Sequence, residues 1–390
     1  MGKSIQINNH NAITARDFES MLRLQLNALW EGKCPADKLP PLMAWGAPGL
    51  GKSSIIRELA REYGVGFLDI RLAQREPVDI RGLPVPDKDG VKWLVSAEWP
   101  RDPKSRGIIL FDELTAADRS LQVAAYELIL DRRLGDLYSV PDDWYICAAG
   151  NRVEDRAVST TMSSALANRF LHVELQSDME CWAKWAIAHD VHPAVIGFLR
   201  YRPELLFAQK DENLERGWPS PRSWERVSSM LSIIGTGNLR QLGSAVFGLV
   251  GNRVGVEFLA FVEVNDSMED TLAMMLNPKA KVQIPVKADR IYALCSAMVY
   301  HLWRGKDDKE RAALLDGFYR IALALPSSYA AMSMIDAMGD DEKRAGQLYM
   351  HPQYKAWAER HGMALKKRMR NERCDDDSAA NADTDASVAQ

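Results

Sequence analysis

The stretch GAPGLGKSS occupies residues 46–54, between the apolar run PLMAW at 41–45 and the sequence IIRELAREYG at 55–64. Three of its first six residues are glycine, which strands and helices both disfavour, so the stretch is predicted to be a loop. The apolar run before the loop is typical of a short buried strand. The residues after it carry an apolar face of helical spacing, and Gly64 is placed to end that helix.

The loop matches the pattern G-x-x-x-x-G-K-[ST] through Gly46, Gly51, Lys52 and Ser53. Glycines let successive backbone N–H groups curl around phosphate oxygens, and the positive end of the following helix adds to the attraction. In this pattern the lysine reaches the β- and γ-phosphates and the hydroxyl binds Mg²⁺. The predicted nucleotide-binding residues are Gly46, Ala47, Pro48, Gly49, Leu50, Gly51, Lys52, Ser53 and Ser54.

A pair of carboxylates follows the apolar strand in IILFDEL, residues 108–114. In open parallel sheets, ligands bind outside the carboxyl ends of the strands, where Asp112 and Glu113 are expected to lie. Asp112 is predicted to act on Mg²⁺ through its water shell, beside Ser53, and Glu113 to polarise the attacking water. An acidic strand end without a function is the alternative for this pair taken alone.

Three further polar residues are candidates for the same site. Asn151 ends the strand WYICAAGN and could hold a water against the γ-phosphate, although an asparagine that only caps a loop is the alternative. Arg169 precedes the next strand, where an isolated arginine is usually part of a surface ion pair. Ser220 is a predicted N-cap and Pro221 the first helical residue, so Arg222 falls in the first turn. A cation there opposes the helix dipole, and a nearby triphosphate would relieve that repulsion.

The chain has 390 residues and a net charge of −4, with 47% hydrophobic residues, which predicts a folded protein of two or three domains. Strand and helix patterns alternate up to residue 177, which predicts an α/β domain with a parallel sheet, and the remainder is helical. The predicted domains are 1–177 with a hairpin inserted at 78–100, 178–275, 276–370, and a disordered acidic tail at 371–390. No leader, membrane span or cysteine cluster is visible, which favours the cytoplasm and argues against zinc and disulfides.

The order GAPGLGKS, IILFDE, AAGN, ALANRF, SPRSWE resembles AAA+ ATPases, and within them the MoxR-like branch, over about residues 14–265. The resemblance implies a three-layer P-loop AAA+ domain with a parallel five-stranded sheet, followed by an all-α lid and a C-terminal helical extension. It assigns residues 46–54 to Walker A, Asp112 and Glu113 to Walker B, Asn151 to sensor 1 and Arg222 to sensor 2.

The resemblance also places Arg169 at the arginine finger that reaches the γ-phosphate held by a neighbouring subunit. Asn168 stands where the more familiar form of the family has an acidic residue, so Arg156 stays open as an alternative finger. A site that a neighbour completes requires a head-to-tail contact, which closes into a ring or grows into a filament.

The leading hypothesis is therefore an ATP- and Mg²⁺-dependent hydrolase that forms a ring, expected to have six subunits, and remodels a partner protein. Analogy with MoxR-like proteins suggests a separate partner with a von Willebrand factor A-type domain. The alternative is a motor or loader acting on nucleic acid, suggested by Lys88, Lys92 and the basic run LKKRMR at 365–370. We expect that run to be the end of a helix, which cations stabilise. A nucleotide kinase or GTPase-like switch fits poorly, because neither needs Asn151, Arg169 and Arg222 in this order.

The segment 78–100, VDIRGLPVPDKDGVKWLVSAEWP, is predicted to be a projecting hairpin that turns at Asp89-Gly90. Four large apolar residues follow the turn: Trp93, Leu94, Val95 and Trp99. We expect them to contact the partner protein, while packing on the subunit's own core stays open as the alternative.

Overall fold

The protein is described by a computed structural model over residues 12–88, 90–152, 162–209, 216–266 and 270–380. Its chain divides into two compact units, residues 1–181 and 182–390. No helix within the described ranges is both long enough and apolar enough to cross a membrane.

A six-stranded parallel sheet forms the centre of the first unit, with strands numbered in chain order. They are β1 (Ala12–Ile13), β2 (Leu42–Trp45), β3 (Gly66–Arg71), β6 (Gly107–Asp112), β9 (Trp144–Gly150) and β10 (Leu171–Leu175), in the spatial order β1-β10-β2-β9-β6-β3. The five predicted strands are confirmed. The sixth, β1, was missed because a strand of two residues leaves no periodic pattern.

Helices cover both faces of this sheet, which gives the three layers. They are α1 (Ala15–Trp30), α2 (Lys52–Glu62), α3 (Pro77–Arg81), α4 (Arg119–Asp131) and α5 (Ser164–Ala167). Consecutive residues of a strand point to opposite faces of the sheet and so pack in different cores. In β6, Leu110 packs with α1 and α2, whereas Phe111 packs with α4. The apolar residues that α1 buries are Phe18, Leu22, Leu26 and Leu29, whereas its Leu24 is 71% exposed.

The predicted hairpin is shorter than expected, because α3 takes up its first residues. The two arms are β4 (Leu83–Asp87) and β5 (Gly90–Leu94), and a second small ribbon joins β7 (Arg133–Leu134) to β8 (Tyr138–Ser139). The expectation that Trp99 projects is wrong. Trp99 is 1% exposed and lies in the core that Phe111 and α4 form, which we call the α4-side core. The half-buried Val95 also packs against this core. Trp93 and Leu94 are 44% and 49% exposed.

Helices make up the second unit, as predicted. From the unit boundary onward they are α6 (Met179–Ala188), α7 (Pro193–Tyr201), α8 (Pro221–Ile234), α9 (Leu239–Val250), α10 (Asn252–Asp266), α11 (Thr271–Leu276), α12 (Ala288–Leu302), α13 (Asp308–Ala324), α14 (Ser327–Met338), α15 (Glu342–Met350) and α16 (Tyr354–Ala380). The polar segment 277–287 between α11 and α12 is not helical.

The predicted start of the tail at 371 is wrong for ten residues, because α16 continues to Ala380. The segment 371–380 contains no glycine or proline, so nothing in its backbone chemistry ends the helix. The basic run at 365–370 consequently lies inside a helix and not at its end. The rest of the predicted tail, 381–390, lies outside the described residues.

Candidate functional site

The glycine-rich loop joins β2 to α2 in a conformation that favours glycine. Gly46, Gly49 and Gly51 have φ angles of +144°, +90° and +95°. A side chain at Gly46 would also place its Cβ 2.9 Å from the carbonyl oxygen of Leu175. Gly51 is the N-cap of α2 and gives it no side-chain acceptor, and the first turn contains no acidic residue. The start of α2 therefore has no side-chain cap and no acidic side chain of its own, which suits an external anion.

Lys52 brings the loop and the end of β9 together. Its side chain is buried, and its Nζ donates to the carbonyl oxygens of Gly46 and Ala47 and to Oδ1 of Asn151, the last two at 3.1 Å. β2 and β9 are parallel neighbours, so both residues lie at the carboxyl end of the sheet. The structure thus joins two predicted site residues that are far apart in the chain.

Ser53 and Asp112 form the second contact across the same edge. The Ser53 hydroxyl donates to Oδ2 of Asp112 at 2.7 Å, and the Glu113 N–H donates to Oδ1 of the same carboxylate at 3.0 Å. Hydroxyl and carboxylate oxygens are the ligands that Mg²⁺ prefers, so this pair fits the ion. No group of three or more His, Cys, Asp or Glu within the described ranges could hold a metal by itself. A magnesium ion here would depend on phosphate and water oxygens for its remaining ligands.

Glu113 is held in an unusual backbone conformation beside this pair. Its φ is +55°, a region that residues other than glycine rarely adopt, and its side chain is exposed. Strain of this kind is found at functional sites more often than elsewhere. The turn directs an exposed carboxylate from the carboxyl end of β6, next to Asp112.

Thr115 is a residue of this site that sequence reasoning missed. It is buried, and its Oγ1 accepts from the N–H of Asn151 at 3.1 Å and donates to the carbonyl of Asn151 at 3.2 Å. The N–H of Leu114 also donates to the carbonyl of Ala149 at 2.9 Å. Thr115 therefore fixes the backbone of Asn151 against the turn after β6. A single hydroxyl in a turn is too common a feature to be a signal on its own.

Arg169 lies at the amino ends of the sheet strands, whereas the glycine loop lies at their carboxyl ends. It precedes Leu171, which pairs with Leu42 at the start of β2, whereas the loop follows the end of β2. Its exposed guanidinium lies 5.9 Å from the ring centroid of Tyr126. Arg169 and Arg132 line a cavity of about 210 Å³ at this edge. The structure therefore does not bring Arg169 to the loop of its own chain.

Three other arginines near these motifs have different surroundings. Arg152 forms an ion pair with Glu174 on β10, and Arg156 lies outside the described residues. Arg222 is exposed in the first turn of α8, where Ser220 is the N-cap, as predicted. Arg222 belongs to the second unit.

The parallel sheet, the glycine loop and the acidic end of β6 define a three-layer α/β protein of the P-loop type, extended by a helical unit. No protein-family model matches the chain, and no curated protein matches it.

Three different proteins of known structure are similar to this chain. NtrX from Brucella abortus in complex with ADP is 16% identical, covers 93% of this chain and 69% of its own, and has a TM-score of 0.35. A candidate ATPase from Cytophaga hutchinsonii is 16% identical, with coverages of 74% and 75% and a TM-score of 0.32. A RuvB variant from Thermotoga maritima is 15% identical, with coverages of 76% and 91% and a TM-score of 0.36.

Proposed function

We propose that this chain is an ATPase of the AAA+ type that hydrolyses ATP to ADP and phosphate with Mg²⁺. One observation carries the proposal: Lys52, Ser53, Asp112 and Asn151 converge at the carboxyl edge of a parallel sheet, around a helix N-terminus with no side-chain cap. An uncapped helix start, a lysine and a hydroxyl–carboxylate pair are what a nucleoside triphosphate with Mg²⁺ requires.

Each residue has a distinct part in the proposed reaction. Lys52 exchanges its loop carbonyls for the β- and γ-phosphate oxygens, while the N–H groups of residues 46–54 surround the phosphates. Ser53 and Asp112 would hold Mg²⁺, which neutralises charge that develops on the phosphates. Glu113 polarises the attacking water, and Asn151 holds that water in line. Thr115 is a positioning residue, because it acts only through Asn151.

The position of Arg169 supports a ring in which each site is completed by the next subunit. A cation at the amino edge of the sheet cannot reach the phosphates bound at the carboxyl edge of its own chain, but a head-to-tail neighbour can present it there. We propose Arg169 as that finger and Arg222 as the sensor of the second unit, in a ring of six. ATP held between two subunits would favour the assembled state.

We further propose that the chain is of the MoxR type and remodels a separate partner protein, which could carry a von Willebrand factor A-type domain. The exposed apolar side chains of the β4–β5 ribbon support a surface for protein contact. The net charge of −4 argues against nucleic acid as the partner.

The proposal is tested by titrating the purified chain with ATP in a calorimeter, with and without Mg²⁺. We expect saturable binding to the wild type and none to Lys52→Ala, because the phosphate charge loses its closest cation. Lys38→Ala, at the other edge of the sheet, is the matched control and should bind as the wild type does. Equal ATP binding by Lys52→Ala and the wild type would contradict the assignment of the loop.

A further inference from the structure

The pairing register of the β4–β5 ribbon determines which of its backbone groups point outward. Pro84 is paired with Trp93, and Pro86 with Val91. In an antiparallel ladder, alternate residue pairs exchange both backbone hydrogen bonds, and a pair that contains proline cannot do so. The hydrogen-bonded pairs are therefore the alternating ones, such as Val85 with Lys92. It follows that residues 84, 86, 91 and 93 direct their backbone groups away from the ribbon.

The two outer edges of the ribbon consequently differ in chemistry. The edge of β4 has no N–H at either outward position, because both are proline, and proline at such positions prevents a further strand from pairing. The edge of β5 presents the N–H groups of Val91 and Trp93. Within the described part of the chain, neither of these N–H groups has a partner outside the ribbon. One edge is closed to strand addition and the other is open.

The ribbon is exposed on both faces but firmly held at its base. Every described residue of β4 and β5 is exposed except Val85, which is half-buried. An exposed two-stranded ribbon is only marginally stable by itself, and a third strand would add to its stability. Below the ribbon, Arg75 forms an ion pair with Glu98 at 2.9 Å, and Trp99 is buried in the core. The strand with the open edge is thus anchored to the core of the first unit through the buried Trp99.

We propose that the β5 edge binds an extended segment of the partner protein as a third strand, a proposal that rests on the partner-remodelling function above. The side chains of β5 specify the chemistry of this segment. Val91 and Trp93 share one face of the ribbon with Pro84 and Pro86, which is entirely apolar. Lys92 lies on the other face. The segment therefore alternates apolar residues, which pack on Trp93, with acidic residues, which pair with Lys92.

The test uses the full chain and a labelled, end-capped peptide, Thr-Val-Glu-Val-Glu-Val-Thr, with binding measured by fluorescence anisotropy up to millimolar protein. We expect saturable binding to the wild type and a Kd about tenfold higher for Val91→Pro, which loses an outward N–H and blocks the approach of the peptide. Val91→Thr keeps the N–H and the branched shape, so it should bind as the wild type does. Lys92→Glu should reverse the preference, favouring a peptide with Lys in place of Glu.

Three results would overturn the inference. The first is that the wild-type protein does not bind the peptide. The second is that Val91→Pro and Val91→Thr bind it equally well, which would mean that side chains alone make the contact. A dimer that Val91→Pro abolishes and the peptide disrupts would identify a second copy of the chain as the occupant. Mg-ATP hydrolysis is measured on the same wild-type preparation. Lost peptide binding with intact hydrolysis overturns only strand addition, whereas absent hydrolysis contradicts the proposed function.

Discussion

Glu113 and Thr115 show how three consecutive residues of one turn set the geometry of the proposed site. The positive φ of Glu113 exposes its carboxylate, while the hydroxyl of Thr115 holds the backbone of Asn151 from the other side. Sequence reasoning identified Glu113 and Asn151 as candidates because each follows a strand in a recognisable pattern. It could not identify Thr115, whose importance comes from a contact between residues 36 positions apart.

Thr115→Val should destabilise the first unit and impair turnover. The change keeps the shape but removes the Thr115 acceptor from the part-buried N–H of Asn151, which costs about 1–3 kcal/mol of unfolding free energy. We expect kcat to fall while ATP affinity is retained, because Asn151 is displaced and the phosphate loop is not. Denaturant unfolding and a phosphate-release assay measure the two effects. Thr115→Ser retains the hydroxyl and should restore both, and a Thr115→Ser variant as impaired as Thr115→Val would argue against the hydrogen bonds.

At the scale of elements, the loop and the strands of the sheet were predictable, but the burial of individual rings was not. Glycine spacing and apolar runs are local signals that give the order of strands and helices. Trp93 and Trp99 have the same side chain and are six residues apart, yet one is exposed and the other buried. The difference arises because the chain runs back into the α4-side core after β5. No periodic pattern of apolar residues in this short segment marks where it enters the core.

The two tryptophans should respond differently to truncation. Trp99→Ala removes a fully buried ring and should lower the unfolding free energy by about 3–5 kcal/mol. Trp93→Ala removes a half-exposed ring and should change it by no more than about 0.5 kcal/mol. Equilibrium unfolding in urea, followed by circular dichroism, compares them directly. Similar losses for both variants would mean that the ribbon is an integral part of the core.

At the scale of the whole molecule, the sheet separates Arg169 from the phosphate loop of its own chain. The sequence placed this arginine before a strand, but only the parallel pairing of β10 with β2 shows that it lies at the opposite edge. The sequence also left Arg156 open as the finger, and that residue lies outside the described ranges. Within one chain, the glycine loop and the candidate finger therefore lie at opposite ends of the sheet strands, and the proposed ring would bring them together.

Mixing experiments should show that Arg169 acts in trans. Arg169→Ala is expected to leave ATP binding by the isolated subunit intact and to reduce turnover about 10³-fold, the size of effect that is typical when an arginine finger is removed. Adding Lys52→Ala subunits, which cannot bind ATP but retain the finger, should restore part of the activity. Phosphate release across a series of mixing ratios measures the recovery. No recovery with Arg169→Ala, together with recovery for Arg156→Ala, would assign the finger to Arg156.

The central claim, hydrolysis of Mg-ATP at the edge formed by β2, β6 and β9, is tested most directly by comparing Glu113→Gln with the wild type. The amide keeps the size of the side chain but cannot polarise water, so ATP binding should survive and turnover should be lost. Calorimetric titration with Mg-ATP, followed by phosphate release on the same samples, gives both quantities. The account predicts a similar Kd for the two proteins and steady phosphate release from the wild type alone. Equal turnover by both would contradict it.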